Sequence, residues 1–426
     1  MERQDVALMK CWPLALLCFA FLIGLASGEV DAGGNSRVIE VTRLDDDVDQ
    51  PRPGMLRWAM LQAGPRVVRF KVGGTISLRD QIRVEQGQLT IDGRDAPGMG
   101  VCISGGALEF LDVDDITIRY VRIRLGDKTT RRFNRQEGRE RPEGSGGLDC
   151  LNFVNCRRIW IDHVSASWSC DEIVSVVRCR NVLIEWCLFA EPLADPPLHP
   201  YGDRHAFLVI ASASTLTLRN CLLAHYVMRG PQFEANDMRR DDHYAVKLVA
   251  ENNVMFDYER SGVRYTTGTE DHREEAVGKK FDFRFSGNVF VPTKRSGPEI
   301  EAVTKHGVSP QVRVVCAGNG VRRGTAFTPP RVTTDKGKLF AESPESIRQP
   351  FTMKAEADAI ASESLFQRIL AGAGCSHRRD SYDRLMVRDV IRQKSREPIR
   401  SPFWRGGWPD LNPGAEPLAR SLFRAR

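Results

Sequence analysis

The sequence predicts an all-β solenoid, a parallel β-helix with a partly helical C-terminal extension, and three observations point to it. Four segments superimpose on one short core: Ile116-Thr-Ile118-Arg-Tyr-Val121, Ile159-Trp-Ile161-Asp-His-Val164, Val182-Leu-Ile184-Glu-Trp-Cys187 and Leu216-Thr-Leu218-Arg-Asn-Cys221. Each is apolar at its first, third and sixth positions, the alternation of a strand with one face buried. The fourth position is always charged (Arg119, Asp162, Glu185, Arg219), as an outward face requires. Successive cores start 43, 23 and 34 residues apart. Such irregular spacing is awkward for helical repeats, but a parallel β-helix keeps a minimal coil and lets loops of any length leave at its turns.

The elements follow in chain order. Arg3 and Lys10 precede the apolar run Leu14 to Ile23, and Ala26-Ser27-Gly28 closes it. Residues 1–28 therefore read as a signal peptide cleaved after Gly28, which leaves no lasting membrane span; an uncleaved anchor is the alternative. Its removal leaves nine of the eleven cysteines, and none of them forms a CxxC pair. That is neither the framework of a small disulfide-rich domain nor a zinc ribbon. Residues 29–327 form the β-helix, with early and late coils at Leu89-Thr-Ile91-Asp-Gly93, Asn253-Val254-Met-Phe256 and Gly287-Asn-Val289-Phe-Val291. Val121, Val164, Cys187 and Cys221 share one inward position, and Cys156 and Cys179 share a second. Buried thiols there behave as small hydrophobes; a Cys156–Cys179 disulfide is the other reading. Residues 328–426 are a linker and an extension packed on the solenoid. Thr328-Pro-Pro330 to Pro350 is extended, and Glu356 to Ala371 has helical spacing through Ala361, Leu365 and Ile369, with Phe366 and Leu370 beside them. The helix stops at Gly372 and Gly374, and the Arg-rich tail from His377 is expected to strap over the solenoid.

Composition narrows the functions. With 42% hydrophobic and 27% charged residues, the 426-residue chain is neither disordered, collagenous nor a multi-span membrane protein. A net charge of +6 suits a polyanionic ligand, nucleic acid or acidic polysaccharide alike. There is no Ser-His-Asp elbow, P-loop or GxGxxG fingerprint.

Coil equivalence then becomes proximity. Asp149 stands ten residues before Ile159 and Glu172 ten before Val182, with Asp171 one earlier, so these acids belong to one strand start on successive coils. Neighbouring strands lie about 4.8 Å apart. Carboxylates stacked so closely repel unless a cation lies between them. Calcium, which takes about six to eight oxygen ligands, is the natural candidate, and zinc is disfavoured because no His or Cys stands at ligand spacing. Solvated acids, or acids paired with the abundant arginines, are the alternative. The same count brings Ala206 to this position, so His205 falls where Asp171 does, with Arg204 beside it. The loop His225-Tyr-Val-Met-Arg229-Gly-Pro231 leaves the next coil on the same side. These residues together make a cation-lined groove for an extended anionic polymer. Asp162-His163 is read as hydrogen-bonding support, Asp114-Asp115 and Asp241-Asp242 as turn residues, and Arg131 to Arg141 as a basic loop near the groove or a solvated charge run.

Through Gly146-Gly-Leu-Asp149-Cys150, Ile161-Asp-His163, Ser167-Trp168, Asp171-Glu172, Arg229-x-Pro231, Glu251-Asn-Asn-Val254 and the terminal Gly406-Gly-Trp-Pro409, the chain resembles the pectate lyase family of polysaccharide lyases. The resemblance covers roughly residues 36 to 412. It implies a right-handed parallel β-helix and an enzyme with Ca2+ as cofactor, while the N-terminal leader implies export and a monomer is expected. The implied partner is pectate or polygalacturonate, cleaved by β-elimination, with no nucleic acid involved. By resemblance, Asp149 and Asp171 are calcium ligands with Glu172 assisting, and Arg229 abstracts the C5 proton of the uronate. Arg204, His205 and Gln232 fall among the substrate-binding positions. The sequence departs from the family at Tyr201, where bacterial relatives commonly carry Lys, at Gln232, which replaces a second Arg, and at Ser175, where some members place a further Asp. Fewer groove cations predict weaker polygalacturonate binding or a modified polymer. Two alternatives stay open on the same fold, a weakened or inactive carbohydrate-binding protein and a polygalacturonase-type hydrolase.

Overall fold

A computed structural model describes residues 36–127, 148–194, 205–235, 238, 244–266, 279–303, 311–334, 339–340 and 361–411. The apolar leader, the basic loop at 131–141, the turn holding Tyr201 and Arg204, and Asp241-Asp242 lie outside the described residues.

The described strands form three ten-stranded sheets, and each coil gives one strand to each sheet in turn. One full coil runs Leu151–Val154, Arg157–Asp162, Ser165–Ser167, then returns to the first sheet at Glu172–Val177. We call these the groove sheet, the second sheet and the third sheet. Pairing is parallel throughout, apart from antiparallel pairs at the last coils. The architecture is a right-handed parallel β-helix. The repeat read from the sequence is the register of the second sheet: Ile159 pairs with Ile116 and with Val182, and Val182 with Leu216. Its charged fourth positions line up outside as Asp92, Arg119, Asp162, Glu185, Arg219 and Glu251. Arg119 pairs with Asp92 and Arg219 with Glu185, both at 2.9 Å.

Between the second and third sheets the chain bends through one left-handed residue per coil: Tyr120, His163, Trp186, Asn220 and Asn252, then Gly287 and Gly318. This turn is fixed from within by a ladder. Cys187 N–H donates to Cys221 Sγ (3.3 Å), Cys221 N–H to Asn253 Oδ1 (2.9 Å), Asn253 N–H to Asn288 Oδ1 (3.0 Å), and Asn288 N–H to Asn319 Oδ1 (3.0 Å). Buried backbone donors at a bend need acceptors, and the thiols act as both filler and acceptor. The cysteines among the described residues are all free, Cys156 N–H donating to Cys179 Sγ at 3.4 Å with no disulfide between them. Outside, His163 stacks on Tyr120 (4.8 Å between centroids) and faces Trp186, in keeping with a supporting role for Asp162-His163 away from the groove.

From Leu188–Ala190 onward the third sheet is apolar on both faces, so it needs a cover. Leu188, Ala190, Leu222, Ala224, Val254 and Phe256 pack against two helices, Glu363–Gly372 and Ser381–Arg392. The first matches the expected helix, described here only from residue 361 onward, and buries Leu365, Phe366, Ile369 and Leu370. The second was hidden in the Arg-rich tail, where Tyr382, Met386 and Val390 form an inward stripe at four-residue spacing. A buried clamp locks it down. Arg124 pairs with Asp380 (2.6 Å) and Asp383 (2.9 Å), Arg122 pairs with Asp380 (3.1 Å), and Ser165 Oγ donates to Asp383 (2.8 Å). Trp408 of the terminal Gly-Gly-Trp-Pro run donates its indole N–H to Arg124 O (2.9 Å) and packs edge-on to buried Trp168. The groove sheet also runs past residue 327, since Val332–Thr334 pairs with Ile300–Val303.

Candidate metal centre and groove

Asp149 ends the turn before Leu151–Val154, and Glu172 opens the next strand of the groove sheet. The register Leu151 to Val174 sets the two acids opposite each other, and Glu172 N–H donates to Asp149 Oδ1 at 3.0 Å. Asp149, Asp171 and Glu172 each bring a carboxylate oxygen within 4.8 Å of the others. Asp149 is 1% exposed, and its Oδ2 has no hydrogen-bond partner among the described residues. Burial first, and then the charge of Asp171, hold its carboxyl well above the usual range; the Ser175 hydroxyl works in the opposite direction. Three clustered oxygen donors, one of them an orphaned buried carboxylate oxygen, fit a hard divalent cation.

Arg229 reaches the same place from two coils on. It follows the strand Leu222–Tyr226 and sits in a left-handed conformation (φ 65°), sparsely populated for a side chain of this size. Its carbonyl accepts from Val209 N–H (2.8 Å), which ties it to the neighbouring coil. The next residue must be glycine, because a Cβ at Gly230 would run into the Tyr226 ring. From this perch the guanidinium lies over the Phe207 ring (4.3 Å) and forms an ion pair with Glu172. Burial pulls the Arg229 pKa down, with Glu234, Asp171 and Asp149 opposing.

His205 sits one residue away from its expected register with Asp171. Glu172 pairs with Phe207, not Ala206, because the coil that follows is one residue shorter between Ser212 and Leu216 than its predecessor between Val177 and Val182. Ala206 therefore takes the position opposite Asp171, and His205 lies one residue before it. It still brings Nε2 to 3.6 Å from Asp171 Oδ1, so the two belong to one cluster. Arg204 falls outside the described residues. His225 is turned away from the groove, its Nδ1 bonding Asp257 (2.8 Å), whose carboxylate also accepts from Ser395 of the extension (2.6 Å).

Across the outside of the groove sheet, one register row reads Arg83, Glu109, Asn152, Ser175, Ile210, Gln232, Arg264 and Glu301. Gln232 donates its amide to Glu234 and accepts from Arg264 Nη1 (3.3 Å). Arg264, also 3.4 Å from Glu301, returns a cation beside the position where Gln232 had removed one. None of the sequence motifs includes Arg264. Extending the repeat one coil further, to Val263–Thr266, is the signal that finds it.

No protein-family model matches the chain. A protein of Aspergillus flavus named "Probable pectate lyase C" is 34% identical over 197 residues, 45% of this chain and 42% of that protein. "Pectate lyase 2" of Ambrosia artemisiifolia is 32% identical over 173 residues, 39% of this chain and 42% of that protein. The matched stretches thus span about two-fifths of each relative's length. The crystal structure of Jun a 1, the major allergen from cedar pollen, superimposes with a TM-score of 0.51 at 15% identity, over 80% of this chain and 90% of that one. The chain is similar to pectate lyases in sequence, and it shares the fold of Jun a 1.

Proposed function

We propose that this chain is an exported lyase that binds calcium at Asp149, Asp171 and Glu172 and cleaves a polygalacturonate-like polyuronate by β-elimination, with Arg229 as the base. The observation that carries the reading is the convergence of three carboxylates, one with an orphaned buried oxygen, with an arginine held in a strained conformation against them. Sequence similarity to pectate lyases supports it. Export rests on the N-terminal leader; among the described residues no helix is long and apolar enough to cross a membrane.

The chemistry needs a proton removed from C5, alpha to a carboxylate whose charge opposes carbanion formation. Asp149, Asp171 and Glu172 would hold calcium, which would supply positive charge to offset the substrate carboxylate and make this proton more acidic. Arg229 takes the proton at a guanidinium nitrogen, for which burial already weakens its hold on its own. The C5–H electron pair becomes the C4–C5 double bond, the C4–O bond breaks, and the departing glycosidic oxygen takes a proton from water. Glu172 steers the Arg229 side chain toward the carboxylates, His205 orders Asp171, and Arg264 with Gln232 offers hydrogen bonds to a neighbouring sugar.

The Arg229–Glu172 ion pair favours a second reading, in which the site binds acidic saccharide without turnover. Ultraviolet absorbance with polygalacturonate separates the two. A rise at the unsaturated-uronate band with calcium, abolished by chelator, supports the lyase. A flat trace across a panel of pectins, with saccharide binding retained, supports the binding protein, and a new reducing end without absorbance supports hydrolysis.

A further inference from the structure

Across the groove sheet from the carboxylates, where its strands turn into the second sheet, lies a cleft of about 410 Å³ whose charge nothing in the mechanism above uses. Arg157, Arg178 and Arg180 line it, and among the described residues none of the three forms an ion pair. Arg157 and Arg180 are register partners on adjacent strands, which sets their backbones about 4.8 Å apart. Like charges facing each other across strands destabilise the sheet unless something offsets them. Of the two acids of the cleft, Asp112 accepts from Asn155 Nδ2 (2.9 Å), while Asp114, the register partner of Arg157 on its other side and also held by Arg158 (3.1 Å), offsets only part of that charge.

These guanidiniums are also braced. Asn155 Oδ1 accepts from Arg178 Nε at 2.8 Å, so the Asp112–Asn155–Arg178 chain fixes one head group. Arg180 sits over the Tyr244 ring at 5.0 Å, and Tyr244 is itself anchored by its hydroxyl to Ala213 O (2.7 Å). A guanidinium held in place and open to solvent presents a planar donor fork to a carboxylate.

We propose that this cleft is a second, non-catalytic docking site for the carboxylates of an acidic polysaccharide chain. The saccharide assignment rests on the function proposed above. The same coils carry both sites: Asp149 stands before Leu151–Val154 and Asn155 after it, six residues or about 20 Å along an extended strand. A polymer held at the cleft is therefore kept within reach of the groove, and the cleft raises the local substrate concentration without touching the reacting bond.

The test measures binding of the full chain to polygalacturonate by affinity electrophoresis in chelator, so that no turnover occurs. It compares the wild type with Arg157→Ala/Arg180→Ala, and with Arg37→Ala/Arg69→Ala as a control that removes the same charge from exposed positions elsewhere. About tenfold weaker binding is expected for the cleft variant and under twofold for the control, with neither variant melting below the wild type. Equal binding by wild type and cleft variant, or equal loss in both variants, overturns the proposal. Binding of inorganic phosphate that depends on Arg157 and Arg180, with polygalacturonate binding unaffected, also overturns it and leaves a small-anion site. Absorbance assays with calcium run in parallel keep the two ideas apart. Cleft-dependent binding without turnover sinks the lyase and spares the cleft, and turnover with cleft-independent binding does the reverse.

Discussion

Asp149→Asn tests the metal centre without relying on catalysis. The substitution keeps the oxygen that accepts from Glu172 N–H and replaces the orphaned Oδ2 by an amide nitrogen facing Asp171. In chelator this removes a buried carboxyl whose charged form is disfavoured by burial and by Asp171. Leaving a buried polar group unsatisfied costs about 1–3 kcal/mol, more when it is charged. The variant is therefore expected to be more stable than the wild type at pH 8 by about 1–2 kcal/mol, a shift of at most a few degrees for a chain of this size. The sign follows from the raised carboxyl pKa. The folded wild type holds this proton more tightly than the unfolded chain, so its stability is greatest below the ordinary value of 3.8 and is lost as pH rises above it. Thermal unfolding in chelator should thus show the wild type weakening from pH 5 to pH 8 and the variant weakening less. Calcium should reverse the order, stabilising the wild type at pH 8 and leaving the variant unmoved. If calcium stabilises both proteins equally, or if the variant is less stable in chelator, then Asp149 is not the strained half of a cation site and the reasoning fails.

Other perturbations have equally definite outcomes. Arg229→Ala should abolish formation of the unsaturated product while calcium binding, followed by calorimetry, persists or tightens, because Glu172 loses its competing partner. Arg264→Ala should raise KM on polygalacturonate about three- to tenfold with kcat unchanged, corresponding to about 1 kcal/mol of substrate binding; a fall in kcat alone would move Arg264 out of a binding role. Arg124→Ala leaves Asp380 and Asp383 buried beside each other with one cation fewer, and breaking such a pair costs about 3–5 kcal/mol. Hydrogen exchange should then show helix Ser381–Arg392 opening ahead of the solenoid. In the wild type, burial is overcome by Arg124 and then Arg122, which hold Asp380 down at about 2. Its contribution is therefore present above the ordinary value of 3.8 and lost as pH falls toward 2, and the wild-type helix should stay docked at pH 5.

Much of this protein was legible in the chain. Periodicity determined the second sheet almost residue for residue, since Ile116, Ile159, Val182 and Leu216 had to share a face and parallel pairing then had to stack them. The same arithmetic brought Asp149 to Glu172 across more than twenty residues of chain. What it could not see was a one-residue shortening of a turn, which has no periodic signature and which moved His205 by one position. Nor did local pattern separate the Arg-rich tail from a solvated one. Helix Ser381–Arg392 does carry an apolar stripe at Tyr382, Met386 and Val390, but it is set among many charged residues, and the partners of its buried acids, Arg122 and Arg124, lie more than 250 residues away. The ion pair of Arg229 with Glu172, the return of a cation at Arg264 and the braced arginine cleft share this origin. Each depends on which side chains meet across different coils once the register is set, and tertiary packing alone decides that. Repeat periodicity set the coil, its faces and the acids that stack at one strand start, whereas packing between coils set which charges are paired, which are buried and which are left facing a ligand.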